Sequence, residues 1–464
     1  MADTIPWRFG DKEVFMGSYA QCWLGNLYLG SSKNDIDIDL LSLFRQKNKY
    51  ICKPLEEQIP IHLTESYENI RDDPEFKYIY YEAPVNIIRD RLNLLGYNLP
   101  TAIEAFKVFI DAEQNRNIEM ITSYQKGKNE WETRLAAYYK KINQLLADLT
   151  AEEWIENIKK IRSSGLKNNS VKKFAEQSIL EYMLTRDWYG YTGGDLFIPL
   201  RLIIETCETE DKLLYDLTEL VSSGYFGFDD DFIEFCTAFS SSEYRDKSKT
   251  IVLTEGKTDA WILEMTLDYL YPHLKDYFSF LDFESTGFGG GVGNLVNVVK
   301  AFSGAGIVNN VIALFDNDTA ALSACKGLNT TLLPPNIAII HLPEIDLLRN
   351  YPTIGPSGNV NLDINGIAAS LELYLGVDVL KIDGKNFIPI QWTGYEKSVK
   401  RYQGEVLEKV LLQDRFKEKL DQARNGVDLD WQDLQAVFRV IFSAFSQRNR
   451  EEICRRASME YCEE

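Results

Sequence analysis

The chain has 464 residues, enough for two or three domains, and its 45% apolar and 12% aromatic content excludes the disordered and fibrous classes. Its 50 basic and 70 acidic residues give a formal charge of −20, which excludes general coating of nucleic acid or an anionic membrane by net charge. A local basic path or a metal-neutralised site remains compatible with that balance. In chain order, residues 14–30 (VFMGSYAQCWLGNLYLG) predict two short strands around a Gly25-Asn26 turn. From Pro100 the pattern turns helical, through TAIEAFKVFIDAEQ and WETRLAAYYKKINQLLADL. A third helix starts at Thr150, with Glu153 completing a capping box, and stops at Gly165. Helical patterns continue through VKKFAEQSILEYMLT and, after the turn-rich WYGYTGGD, through LFIPLRLIIETCE. The polar run SSSEYRDKSK (240–249) then marks a boundary, so residues 1–245 read as an α+β, mostly helical domain.

Residues 246–345 alternate strand and helix. The strands are IVLT, FSFLDF, VIALF and IAIIHL, and the helices between them are AWILEMTLDYL, NLVNVVKAF and TAALSAC. Such alternation predicts a parallel four-stranded sheet with right-handed crossovers, flanked by helices. Residues 346–464 read as mixed and then helical, closing with LQAVFRVIFSAFSQ. The seven cysteines (22, 52, 207, 236, 325, 454 and 462) never fall as Cys-x-x-Cys, which points to reduced thiols and away from zinc. The first residues carry no signal-peptide pattern, and no apolar run approaches the roughly 20 residues that span a bilayer. A cytoplasmic location without a membrane partner is therefore expected.

Two of the strands end abruptly in acid: IVLTEGKTD (251–259) and VIALFDND (311–318). Parallel strands deliver such residues to one carboxyl edge, which brings Glu255, Asp259, Asp316 and Asp318 within reach of each other. Clustered carboxylates repel unless a divalent cation sits among them, and hard oxygen ligands favour Mg²⁺ or Mn²⁺. The pattern thus suggests metal-assisted phosphoryl chemistry. The plainer alternative is that these acids cap helices, and Asp259 also suits the first turn of a helix through its dipole. His62, His273 and His341 share no ligand spacing. Glu255-Gly256-Lys257-Thr258 lacks the earlier glycine of an ATP-binding loop, since Ile251 stands there. The GFGGGVG run (287–293) misses the dinucleotide spacing; it reads as a flexible loop, or as backbone amides approaching a phosphate.

With Glu255-Gly256 and Asp259 after one strand and Asp316-x-Asp318 after another, the region resembles the Toprim domain of topoisomerases, bacterial primases and overcoming-lysogenization-defect nucleases. The resemblance implies that Glu255 binds metal and acts as general acid or base, while Asp316 and Asp318 hold Mg²⁺ (or Mn²⁺). In the nuclease branch Asp259 helps hold a second ion, two ions about 3.5 to 4 Å apart clamping the attacking and leaving oxygens. That branch also places acids and a cation after the last strand. Asp363 and Glu372, the latter beside Ser370, are candidates for the acids, and Lys409 or, in competition, Lys257 for the cation. The segment MGSYAQCWLGNLYLGSSKND resembles the amino-terminal module that bacterial defence proteins fuse to Toprim or HEPN domains. No Arg-x4-6-His signature of HEPN ribonucleases is present, so hydrolysis would fall to the Toprim site.

The expectation is therefore a metal-dependent nuclease acting on DNA or RNA, an effector of anti-phage defence restrained by a protein partner or by homo-oligomerisation. Two alternatives stand beside it: a non-catalytic scaffold subunit, and a primase-like nucleotidyl transferase. The cysteine spacing provides no zinc module for a primase.

Overall fold

The computed structural model describes residues 17–54, 59–68, 73, 76–126, 129–165, 176–233, 249–281, 290–329, 333–356, 358–382 and 384–459. The chain forms two compact units, Met1–Phe239 with Gln447–Glu464, and Ser240–Ser446.

The first unit opens with the expected hairpin, β1 (Tyr19–Leu24) and β2 (Leu27–Lys33). Leu24 pairs with Leu27, and Gly25 takes φ +56°, a conformation glycine adopts without strain. With β3 (Lys49–Cys52), β4 (Tyr78–Pro84) and β5 (Lys212–Asp216) the hairpin builds a five-stranded sheet in the order β2-β1-β5-β4-β3. All its pairings are antiparallel. The region is still mostly helical, and the sheet adds three strands to the hairpin expected from the sequence. β4 and β5 each bury four consecutive residues, so neither shows the in-out alternation that betrays a strand.

Helices α1 (Leu99–Gln125), α2 (Glu130–Leu146) and α3 (Ala151–Ser164) begin at Asn98, Asn129 and Thr150, whose side chains accept N–H bonds from the first turn. Thr150 and Glu153 form the expected capping box, and Gly165 ends α3 in the left-handed conformation at φ +63°. Phe106, Phe109, Trp154 and Ile158 from these helices share one core with Ile79 and Tyr81 of the sheet. Of the helix expected over VKKFAEQSILEYMLT, Ile179–Leu184 is helical, and residues 171–175 lie outside the described residues.

The second unit contains the parallel sheet: β6 (Thr250–Leu253), β7 (Phe278–Phe280), β8 (Val311–Phe315) and, beyond the short β9 (Asn317–Asp318), β10 (Ile337–His341). The order is β10-β8-β6-β7, with every pair parallel. Helices α5 (Lys257–Leu270), α6 (Val292–Gly304) and α7 (Thr319–Asn329) follow β6, β7 and β9; the shorter α4 (Phe197–Ile203) belongs to the first unit. β8 is buried along its whole length, packing Val311, Ala313 and Phe315 against Val296, Val299 and Leu328. The fold is thus a mixed α/β architecture containing a parallel four-stranded sheet.

The stretch after the parallel sheet, read from the sequence as mixed and then helical, opens with a second sheet. β11 (Tyr351–Gly355), β12 (Gly358–Leu362), β14 (Ile390–Glu396) and β15 (Arg401–Val406) form another four-stranded sheet, ordered β12-β11-β14-β15. The tiny β13 (Ala368–Ala369) pairs with β9. β12 is exposed at every position and β14 is polar over most of its length, so neither carries an apolar period. Apart from a four-residue helix at Val377–Leu380 and two 3-10 turns, the helices of this stretch are α8 (Lys409–Arg424), α9 (Gln432–Ser443) and α10 (Ser446–Ala457). The end of the chain departs from a single 346–464 domain, because Ile453 and Ala457 of α10 enter the core of the first unit. Among the described residues no helix is long and apolar enough to cross a membrane.

Candidate active site

β6 and β8 are neighbours in the sheet, with Leu253 beside Ala313, so the residues that follow them emerge at one edge. There Glu255 Oε1 accepts the Asp316 N–H at 3.1 Å. Thr254, Glu255, Asp259 and Asp316 line a small cavity closed by Leu314, Leu342 and Leu371. Asp318 Oδ1 accepts the Ala321 N–H at 2.7 Å, which caps α7, and Asp316 Oδ1 accepts the Leu371 N–H at 3.2 Å.

The β9–β13 ladder, with Ala368 opposite Asp318, carries the 368–372 segment to the same edge. Glu372 is buried there and accepts bonds from Ser370 Oγ at 2.7 Å and Gln413 Nε2 at 3.5 Å. Lys409, at the start of α8, supplies the cation: its charge bears on Glu255, Asp259 and Asp318. Lys257, the competing choice, is exposed, as Lys409 is. Asp363 does not join the group. It is exposed and spends its carboxylate on the Asn365 N–H at 3.0 Å, a local turn.

Glu255 lies before the Gly256 cap of α5 and is not helical, so it and Asp259 do not share a helix face. Asp259 reaches the cavity from the first turn, where it also accepts the Gly256 N–H, the helix-start role weighed against function.

Electrostatics marks the group as strained. Burial, opposed by the Asp316 N–H and reinforced by Asp318 and Glu372, raises Glu255 to about 7. Burial, then Glu372 and Glu255, raises Asp259 to about 7. Asp316 is pushed well above its ordinary range by burial and then by Glu255, Asp259, Asp318 and Glu372 together. Asp318 is raised mainly by burial, with Lys409 and His341 pulling it back. Lys409 is lowered by desolvation but raised more by Glu372, Asp316, Glu405 and Asp259, and ends above its ordinary value. Acids that hold one another's protons in this way are what a divalent cation relieves. The donor chemistry, all carboxylate oxygen, suits a hard cation. Among the described residues, however, no three His, Cys, Asp or Glu converge in ready coordination geometry.

Sequence reasoning missed some of the surroundings. His341 follows from register alone: it pairs with Phe315, one residue before Asp316, and its Nδ1 lies 3.1 Å from the Asp316 carbonyl. Gly291, within the glycine run, donates its N–H to the Glu255 carbonyl at 2.6 Å with φ +100°; residues 282–289 of the run and its approach lie outside the described residues. A side chain at that φ is strained, so Gly291→Ala is expected to lower stability by roughly 1 kcal/mol, read by urea denaturation.

Residues 16–240 match the family model of HEPN/Toprim N-terminal domain 1, a span that ends at the boundary of the first unit, before the carboxylate edge begins. Neither the curated proteins nor the solved structures gave a match. The domain match supports a HEPN/Toprim-associated protein and suggests a nuclease-associated function.

Proposed function

We propose that this chain is a metal-dependent nuclease of Toprim type, cytoplasmic, hydrolysing phosphodiesters of DNA or RNA as a bacterial anti-phage effector under the control of a partner or of self-association. The observation that carries the reading is the mutual elevation of Glu255, Asp259 and Asp316 at one sheet edge beside Lys409. Acids perturbed by burial and by one another in a cleft are candidates for a functional site. The amino-terminal family match adds the association with nucleases.

Glu255, Asp316 and Asp318 would hold Mg²⁺ or Mn²⁺, with Asp259 and Glu372 the candidates for a second ion. Bound there, the metal supplies Lewis-acid stabilisation of phosphoryl oxygens. Glu255, raised to about 7 in the metal-free chain as Asp259 is, would hold or release a proton near neutral pH. Lys409 offsets negative charge developing on the phosphate. Ser370 and Gln413 orient Glu372 through their hydrogen bonds.

The test is cleavage of plasmid DNA, single-stranded DNA and bulk transfer RNA with Mg²⁺ or Mn²⁺, comparing wild type with Glu255→Ala and Asp316→Ala. Cutting that needs metal and is lost in both variants supports the reading; cutting that survives in both overturns it. Lys409→Ala is expected to reduce kcat about a hundredfold, with Lys409→Arg recovering part of it, as measured by steady-state cleavage.

A further inference from the structure

The outer hairpin of the second unit displays aromatic rings that its fold does not bury. β14 and β15 pair antiparallel, with Trp392 opposite Gly404 and Tyr395 opposite Tyr402. In a regular strand, residues three apart face opposite sides. Here the register shifts between Trp392 and Gly394, and the extra residue Thr393 restores the parity. Trp392, Tyr395 and Tyr402 consequently share one face. Their rings meet edge to face, with centroids 6.2 Å apart for Trp392–Tyr402 and 5.2 Å for Tyr395–Tyr402. Trp392 lies over two glycines: a Cβ on Gly355 or Gly404 would come within 2.9 or 3.1 Å of its ring. Tyr395 and Tyr402 stand out at 51% and 63% exposure.

The tip of this hairpin is cationic in a chain of net charge −20. Lys397, Lys400 and Arg401 are all exposed there, and Lys326 of α7 reaches across to the Ser398 carbonyl at 2.6 Å. The one acid of the tip, Glu396, is turned onto the Ser398 N–H at 2.9 Å. Lys400 holds φ +54°, a position where glycine would be unstrained, yet a cation stands there. The hairpin is also tied to the carboxylate edge. Thr319, directly after Asp318, donates its hydroxyl to the Tyr402 carbonyl at 2.6 Å. Arg401 donates to the Gly366 carbonyl at 2.8 Å, and β15 runs within three residues into Lys409.

Exposed rings beside cations match a strand whose base faces are free and whose backbone is anionic; in a duplex those faces are covered. We infer that the β14–β15 hairpin is a stacking platform for an unpaired nucleic-acid strand, with bases on Tyr395 and Tyr402 and phosphates on Lys397, Lys400 and Arg401. This rests on the nuclease reading and narrows it to single-stranded or locally opened substrates.

The test is fluorescence anisotropy of the full chain with a labelled single-stranded DNA, the matching RNA and a blunt duplex, in chelator so that nothing is cut. Wild type is expected to bind the single strands at least about tenfold more tightly than the duplex. Tyr395→Ala/Tyr402→Ala is expected to lose about tenfold per base stacked, while the double Phe variant keeps its affinity. Lys400→Gly is expected to melt no lower than wild type, yet bind more weakly with a salt slope reduced by about one. Wild-type affinity in the double Ala variant, or preference of wild type for the duplex, overturns the platform. Metal-dependent cutting measured in parallel separates the two ideas. Cutting with binding untouched in the Ala variant removes the platform alone. Tyr-dependent single-strand binding by a chain that cuts nothing with either metal removes the nuclease reading alone.

Discussion

Asp316→Asn is expected to abolish metal-dependent cleavage and, in the absence of metal, to raise the melting temperature. The loss is expected to reach about a thousandfold or more, because a metal's stabilisation of the transition state is worth several kcal/mol. The gain in stability has a separate cause. Asp316 is buried among Glu255, Asp259, Asp318 and Glu372 and pushed well above the ordinary carboxylate range. The amide keeps the oxygen that accepts the Leu371 N–H and removes a carboxyl whose ionisation is opposed by burial and by four acidic neighbours. About 1 to 2 kcal/mol of added stability follows, the usual exchange between an active site and the fold that carries it.

The same acids set a pH dependence. Glu255 and Asp259 titrate at about 7 in the folded chain, against ordinary values of 4.5 and 3.8. The folded state therefore holds more protons than the unfolded one between about pH 4 and 7. Stability of the metal-free protein falls as pH rises through that window, and Asp316, pushed well above its ordinary range, carries the fall further. Metal binding must release those protons, so added Mg²⁺ is expected to raise the melting temperature little near pH 5 and fully near pH 8. Thermal melts with and without Mg²⁺ check this, and Glu255→Gln should weaken both dependences.

Lys419→Met is expected to cost 3 to 5 kcal/mol, a melting-temperature drop of roughly 10 °C for a unit of this size. Lys419 lies on α8 with 2% of its side chain exposed. Its Nζ pairs with Asp378 at 2.8 Å, donates to the Leu375 carbonyl at 2.7 Å and to the Asp430 carbonyl, and lies 4.6 Å from the centre of the Trp431 ring. Burial lowers its pKa, against the pull of Asp378. Methionine fills the volume but strands the carboxylate and both carbonyls. Adding Asp378→Leu to Lys419→Met should recover part of the loss, since removing both charges is cheaper than removing one. Urea denaturation of the single and double variants gives the coupling directly.

Much of the carboxylate edge was legible in the sequence. Strands buried on both faces read as short apolar runs, and acids set directly after two of them had to meet wherever those runs lay side by side in parallel. The capping box at Thr150 and Glu153, the stop at Gly165 and the Gly25 turn were equally legible, because each is fixed by residues a few positions apart. Glu372 was reachable by resemblance to a family and not by local pattern, since β13 has only two residues and its partner lies some fifty positions earlier. β3, β4, β5 and the β11–β15 region gave no period, being either buried on both faces or exposed on most of them.

What the sequence by itself determined, then, is the alternation of strand and helix over residues 250–341, the acids that close two of the strands, and the two ends of the helix between Thr150 and Gly165. Only the tertiary structure decided that the charge of Lys409 bears on the acids, that Asp363 stays outside, that His341 stands beside Asp316, and that a bulge turns three rings onto one face. Local interactions depend on neighbours in the chain and leave a signature there. Long-range register, burial and mutual charge depend on which distant segments meet, and no window of sequence contains both partners.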